Sequence, residues 1–226
     1  AAYKAVILSQ FGFGATIDFD DVTHKGITNI STDDVAVAQE LGYVIKLVGD
    51  VREVESGISA EVSPTFLPKN HPLASVNDVM NAVFVESIGI GESMYYGPGA
   101  GQKPTATSVL ADIIRIARRL SDGNVGKPFN EFRRDLPLAN PADVKSNYYF
   151  ALDTPDEKGK ILHLSEIFNS EDISFEQVLQ QKANGTTARI VVITHAMSKT
   201  QLKAVTEKLE AAEDFTVVNT LKVLSN

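Results

Sequence analysis

The stretch Glu92-Ser-Met-Tyr-Tyr-Gly-Pro-Gly-Ala-Gly-Gln-Lys-Pro-Thr-Ala106 decides how the rest of the chain is read. A short β-rich run meets a glycine-dense turn, and Pro104 then opens a helix. Gly97, Gly99 and Gly101 allow a sharp turn and a close approach to a ligand with no Cβ in the way. Proline suits the first helical turn, where its missing N–H leaves nothing unpaired. The free N–H groups of that turn point back at the glycines and suit a carboxylate, a phosphate or a polarised carbonyl. A plain strand-to-helix turn accounts for the same three glycines, and the pattern alone does not separate the two readings.

Just upstream, Asn81-Ala-Val-Phe-Val-Glu-Ser87 and Gly91-Glu-Ser-Met-Tyr-Tyr96 read as strands that deliver the chain to this turn. Downstream, Val109, Ile113, Ile116, Ala117 and Leu120 keep the period of an amphipathic helix. Nearer the start, Tyr3 to Phe13 carries Tyr3, Val6, Ile7 and Phe11 on a helical period. Asp18, Asp20 and Asp21 read as loop and helix-start residues, because the later glycine and glutamate of a calcium loop are missing. Ser31-Thr-Asp-Asp34 predicts a capped helix burying Val35, Ala38 and Leu41. Tyr43–Gly49, Arg52–Glu55 and Ile58–Val62 read as three antiparallel strands, Pro64, Pro68 and Pro72 as a loop, and Ser75 to Val79 as a helical turn.

Residues 121–146 hold Gly123, Gly126, Pro128, Pro137 and Pro141 with little apolar periodicity, and predict a linker or wrapped connection. After it the plan is clearer. Strands are expected at Tyr148–Leu152, Ser174–Gln181, Ala188–Thr194 and Phe215–Leu224. Helices are expected at Lys160–Phe168, with Ile161, Leu164 and Phe168 inward, and at Lys199–Ala212. That order is βαββαβ, the split-βαβ plan, which hosts many functions and assigns none. The fold class is therefore α+β: a mostly antiparallel sheet with helices on one face, followed by a ferredoxin-like βαββαβ segment.

Composition narrows the function. The 226 residues are 43% hydrophobic, enough for a packed core, and carry a net charge of -8. An acidic chain of this kind argues against nucleic acid and anionic membrane as partners. Its one basic concentration, Arg115, Arg118 and Arg119, reads as a solvated helix face. No apolar run approaches the roughly 20 residues of a membrane span. The absence of cysteine excludes disulfides and thiolate chemistry and fits a reducing, cytoplasmic setting. The chain opens mid-element at Ala1-Ala-Tyr-Lys-Ala-Val-Ile-Leu8 with no initiator methionine, as expected of a fragment, whether truncated or proteolytic.

Few residues carry chemistry by pattern. The four histidines are scattered, none is paired at i, i+4, and no metal-ligand spacing exists. His163 and His195 read as ordinary core or surface residues. No serine sits in a nucleophile elbow. The glycine turn departs from the dinucleotide fingerprint, because Gln102 stands where a third small residue belongs. Lys4 lies among apolar residues. Such a lysine usually snorkels to solvent. Desolvated, an ammonium of this kind can exchange protons near neutrality.

Taken in order, Ala1–Leu8, Ile27-Thr-Asn-Ile-Ser31, Leu41-Gly-Tyr-Val-Ile-Lys-Leu47, Asn81–Glu86 and Tyr96–Ala106 closely resemble bacterial homoserine dehydrogenase. Residues from Tyr148 onward resemble the ACT domain that often ends that family. The resemblance implies reversible interconversion of L-aspartate 4-semialdehyde and L-homoserine with NAD or NADP. It implies that Lys4 is the proton donor to the substrate carbonyl. It also implies that Gly99, Ala100 and Gly101, with Thr105 beside them, lie against the nicotinamide and substrate. The implied organisation is 1–146 for the catalytic and dimerising part without its start, including the connection 121–146, and 147–226 for the ACT part. A homodimer or larger homo-oligomer is expected.

Three departures qualify the resemblance. The family's aspartate four residues before its lysine falls outside the chain, as does its dinucleotide-binding domain, so the chain alone is expected to be inactive. The ACT loop of the family reads Asp-x-Pro-Gly. Here Asp156, Glu157 and Lys158 separate Asp153-Thr-Pro155 from Gly159, which places threonine feedback in question while leaving Asp153 and Gly159 as the expected effector contacts. The competing expectation is a non-enzymatic amino-acid-binding module whose upstream half only assembles copies.

Overall fold

The computed structural model describes residues 1–124, 126, 132–184 and 186–224. Pro128 of the expected linker lies outside the described residues. Two compact units result, one of Ala1–Pro68 with Phe132–Asn226, the other Lys69–Glu131.

The first unit opens with α1 (Ala2–Phe13), which turns small residues inward: Ala5 and Ser9 are buried, while Tyr3, Ile7 and Phe11 are 70%, 52% and 48% exposed. The expected apolar stripe is thus largely the outer face. The small inner face packs on Ile58, Ala60 and Val62, with Val6 and Phe13 packed at its margin. The short β1 (Thr23–His24) leads to α2 (Thr32–Glu40). Here the capping box forms: Asp34 N donates to Ser31 Oγ at 3.1 Å, and Ser31 N to Asp34 Oδ2 at 2.9 Å. The inward residues are Asp34, Val37, Ala38 and Leu41, and Val35 is exposed against expectation. Buried Asp34 sets that rotation, because Tyr149 Oη and Asn219 Nδ2 donate to its two oxygens at 2.9 and 3.0 Å. Burial alone would raise its pKa. The donors from Ser31, Asn219 and Tyr149 outweigh it and hold the carboxyl below its ordinary value.

Next come β2 (Tyr43–Val54) and β3 (Gly57–Pro68), paired antiparallel along their whole length. The three short strands expected are therefore two long ones, and Pro64 and Pro68 belong to a strand rather than a loop. Pro64 stands where β3 changes its second neighbour. Glu61 and Val62 pair with β1, whereas Thr65 and Phe66 pair with the last strand of the chain. A proline disturbs a ladder least at such a break.

The second unit begins with a 3₁₀ turn, Pro72–Ser75, a little before the helical turn expected. It continues as the hairpin β4 (Met80–Ser87) and β5 (Gly91–Pro98), and then α3 (Gln102–Ser121). The apolar stripe of α3 is real but uncovered: Val109, Ile113, Ile116 and Leu120 are each more than half exposed.

Back in the first unit, residues 137–139 run against β3. Ile58 N donates to the Pro137 carbonyl at 2.8 Å and Ala139 N to that of Ile58 at 2.9 Å. Then follow β6 (Lys145–Pro155), α4 (Lys160–Asn169), β7 (Phe175–Asn184), β8 (Thr187–Thr194), β9 (Met197–Ser198), α5 (Lys199–Ala211) and β10 (Thr216–Val223). On α4 the inward residues are Leu164, Ile167 and Phe168, with Ile161 exposed rather than inward. The strand order β10-β6-β8-β7 completes the βαββαβ plan. Strand β6 is its axis. Tyr148, Phe150 and Leu152 pack with Leu164, Phe168, Val205 and Leu209 of α4 and α5. Tyr149 and Ala151, on the opposite face, pack with Val37 and Ala38 of α2. A bulge between Val217 and Asn219 switches the facing of β10, which is how Asn219 comes to reach Asp34. Strand β10 also pairs with β3 in parallel, so one eight-stranded sheet runs through both sides of residue 146.

Candidate functional site

Lys4 occupies the first turn of α1, on its exposed side and next to Tyr3, whose ring stacks on Phe19 at 4.5 Å. It belongs to the first unit. The glycine turn belongs to the second and is described by itself.

Gly99, Ala100 and Gly101 link β5 to α3, and Thr105 follows in the first turn of the helix. Two of the glycines have identifiable causes. Gly101, the N-cap of α3, has φ +120°, a conformation that side chains rarely adopt. A Cβ at Gly99 would lie 2.0 Å from Asn81 Nδ2, so the carboxamide would have to shift. Gly97 meets nothing within 4 Å. No side chain caps α3, and Pro104 has no N–H to offer, so the uncapped donors of the first turn are the N–H groups of Gln102 and Lys103. The hydroxyl of Thr105 turns back and donates to the Gly101 carbonyl at 2.8 Å. The arrangement provides close backbone approach and two peptide donors for a polarised oxygen.

The pyrophosphate of a dinucleotide asks for more, a parallel βαβ unit with its glycine-rich turn. Among the described residues the parallel strand pairs are β1–β3 and β10–β3, and neither is such a unit. The described residues therefore hold no such unit to seat the phosphates of a dinucleotide.

A third location lies between β6 and α4. A cleft of about 320 Å³ is lined by Thr154, Glu157, Gly159, Leu162, Gln180 and Ile190, among others. Gly159 caps α4 with no side chain over the helix end. The Thr154 hydroxyl is buried without a hydrogen-bond partner among the described residues. Asp153 does not line the cleft. Its side chain alternates to the other face of β6 and takes Arg189 with both oxygens, at 2.8 and 3.0 Å, and the same guanidinium reaches Asp33 of α2 at 3.4 Å. The structure thus brings Gly159 to the cleft and leaves Asp153 in a separate ion pair. The sequence reading ends this strand at Leu152 and does not single out Thr154, whereas β6 continues to Pro155 and turns Thr154 to the cleft.

Buried charge gathers where β2, β3 and β10 meet. Lys222 is 5% exposed and contacts Asp50 and Glu61; Asp50 also takes Arg52 at 2.6 Å, and Glu61 takes Lys199 at 2.8 Å. Burial pushes both carboxyls up, but Lys222 with Arg52, and Lys222 with Lys199, outweigh it and hold them below the ordinary carboxylate range. Among the described residues no helix is long and apolar enough to cross a membrane.

Known proteins resemble this chain along its whole length. It is 58% identical over all 226 residues to a homoserine dehydrogenase of Lactococcus lactis subsp. lactis, covering 53% of that protein. It is 35% identical to one of Bacillus subtilis over 94% of the chain and 50% of that protein. The chain thus spans about half the length of these curated relatives. Its fold superposes on a homoserine dehydrogenase from Thiobacillus denitrificans with a TM-score of 0.90 at 31% identity, covering 99% of this chain and 52% of that one. The family model for homoserine dehydrogenase matches residues 1–114, which hold α1, the β2–β3 hairpin, the glycine turn and most of α3, and on that match the chain belongs to the homoserine dehydrogenase family.

Proposed function

We propose that this chain forms the substrate-side half of an enzyme that reversibly reduces L-aspartate 4-semialdehyde to L-homoserine with NADPH or NADH. The observation that carries this reading is agreement in both sequence and fold, over essentially the whole chain, with homoserine dehydrogenases. Lys4 is assigned the proton transfer on its match to the family's catalytic lysine. Reduction of an aldehyde builds negative charge on its oxygen, and a nearby ammonium first stabilises and then protonates it. In the reverse direction the neutral amine removes the alcohol proton. The bound cofactor supplies or accepts the hydride. Gly99, Ala100 and Gly101 are assigned the close backbone approach to the reacting groups, with Thr105 behind them. The uncapped helix end at Gly101 supports that assignment.

Residues 1–146 are assigned to the catalytic and dimerising part, and 147–226 to an ACT-type regulatory part. Association into a homodimer draws support from the uncovered stripe of α3 and from Tyr95, which is 71% exposed on β5. A cytoplasmic setting is proposed from the cysteine-free composition.

The test joins this chain to the half that the Lactococcus lactis relative carries in addition, and follows homoserine-dependent reduction of NADP and NAD. Lys4→Ala should lower kcat by roughly 10²–10⁴-fold with unchanged circular dichroism. Full turnover in that variant would remove Lys4 from the chemistry, whereas no turnover in the unsubstituted joined protein would favour the competing binding-module reading. The 226-residue chain alone is expected to show no turnover, because its described residues provide no seat for the cofactor phosphates.

A second reading concerns regulation. The unpartnered Thr154 hydroxyl in a cleft closed by the helix end at Gly159 favours an amino-acid effector such as threonine. Calorimetric titration of L-threonine into the chain, with homoserine as control, should show saturable binding that Thr154→Val removes. No heat at millimolar threonine would end this reading and leave the segment an assembly role.

A further inference from the structure

We propose that Asn81 is the positioning residue of the glycine turn, holding the Gly99 backbone in place through its carboxamide. The inference rests on reading that turn as the part of the enzyme that approaches the reacting groups. Asn81 sits on β4 opposite Gly97 of β5, two residues before the crowded glycine. A Cβ built on Gly99 would lie 2.0 Å from Asn81 Nδ2, 2.3 Å from Cγ and 2.9 Å from Oδ1, so the whole carboxamide fills the side-chain space of residue 99. The two residues also share an acceptor. Gly99 N donates to the Val79 carbonyl at 3.1 Å, and Asn81 Nδ2 donates to the same oxygen at 3.4 Å.

These contacts give Asn81 a task that a strand residue does not ordinarily have. The β4–β5 ladder ends at Met80 and Pro98, so Gly99 is the first residue beyond regular pairing. Without further restraint the turn would pivot about Gly99 and Gly101, the more so because glycine resists few conformations. The carboxamide blocks that pivot on one side and the shared carbonyl anchors it on the other. Nor is Gly99 a glycine for its φ angle, since only Gly101 of the turn lies in the left-handed region. What a Cβ at residue 99 would meet is the Asn81 carboxamide.

The test is a double-mutant cycle in the joined enzyme described above, with Asn81→Ala, Gly99→Ala and both together. Displacing a positioned backbone by a fraction of an ångström is expected to lower kcat roughly ten- to hundredfold in Asn81→Ala, with KM for homoserine moving less than about threefold. Gly99→Ala should lose roughly a hundredfold or more. The double variant should be no worse than Gly99→Ala alone, because the new methyl enters space the carboxamide has left. Multiplying effects, or wild-type kcat in Asn81→Ala, would overturn the proposal.

A second measurement needs no turnover. In the 226-residue chain, hydrogen exchange at the Gly99 amide should quicken at least tenfold in Asn81→Ala, while the Val83 and Tyr95 amides of the ladder stay unchanged. Unchanged exchange at Gly99 would equally overturn it. If the unsubstituted joined enzyme shows no homoserine-dependent turnover, the functional reading fails, and the exchange result alone decides the role of Asn81.

Discussion

His71 shows how one side chain sets a condition on its surroundings. Its Nδ1 accepts from Leu73 N at 3.2 Å, capping the 3₁₀ turn, and its ring lies 5.0 Å from that of Phe84 on β4. Only an unprotonated Nδ1 can accept, so protonation removes the cap. Burial lowers the pKa of His71, against an opposing pull from Glu92, so the folded unit binds this proton less readily than the unfolded chain. The sign follows: the stabilisation is whole above the unfolded value of about 6.5 and is lost as pH falls through the folded value. Urea unfolding of the wild type should therefore show about 1 kcal/mol lost between pH 7.5 and pH 5, the scale of an N-cap. His71→Asn keeps an acceptor at every pH and should show a flatter dependence over that range. Equal slopes for the two proteins would mean that the cap contributes nothing. None of this was legible in the sequence, where His71 is one of four scattered histidines; its partners are a backbone amide and a ring that only the fold brings near.

At the scale of elements, the β2–β3 hairpin depends on what packs across its turn. Gly57 opens β3 with φ +143°, and a Cβ there would lie 2.1 Å from the Pro137 carbonyl, beside the Ile58 N–H that donates to that same oxygen. Gly57→Ala must move the connection or the strand. It should cost more than about 1 kcal/mol, and each kcal/mol lowers Tm by roughly 2–4 °C in a chain of this size. Gly26→Ala, where a Cβ meets nothing within 4 Å, serves as the control and should leave Tm nearly unchanged. Equal melting of the two variants would show that residues 137–139 yield freely. The sequence disclosed the hairpin as strands, the capping box at Ser31 and the helix with Pro104 in its first turn, because each rests on neighbours along the chain. It misplaced the inner faces of α1 and α2. Apolar periodicity assumes that large side chains point inward, whereas α1 buries alanine and serine and α2 is turned by a buried aspartate. The glycine turn was legible as a place of close approach, but Asn81, which fills the space over Gly99, gave no local signal.

The whole molecule departs most from a reading by segments. A boundary near residue 146 follows naturally from the change of pattern there, yet β10 pairs with β3 and Lys222 carries its ammonium to Asp50 on β2 and Glu61 on β3. Which edge strands meet is decided by long-range contacts that local patterns do not encode. Lys222→Met should preserve the length of the stem and remove the charge that both carboxylates share. Breaking a buried pair in this way leaves uncompensated charge and costs about 3–5 kcal/mol when both partners are fully buried. Asp50 keeps 27% of its side chain exposed and retains Arg52, so roughly 2 kcal/mol is expected at pH 7. The pH dependence separates this cause from lost packing. Asp50 and Glu61 have folded pKa values below their unfolded ones, so the stability they contribute is present above about pH 4.5 and is lost as pH falls through the folded values. Without Lys222, burial is less fully opposed and both carboxyls rise. The gap between variant and wild type should therefore be widest near neutrality and narrow steadily below pH 4.5 in urea titrations. A gap that stays constant with pH would assign the effect to packing, and the joint between the two halves of the sheet would then rest on its backbone ladder alone.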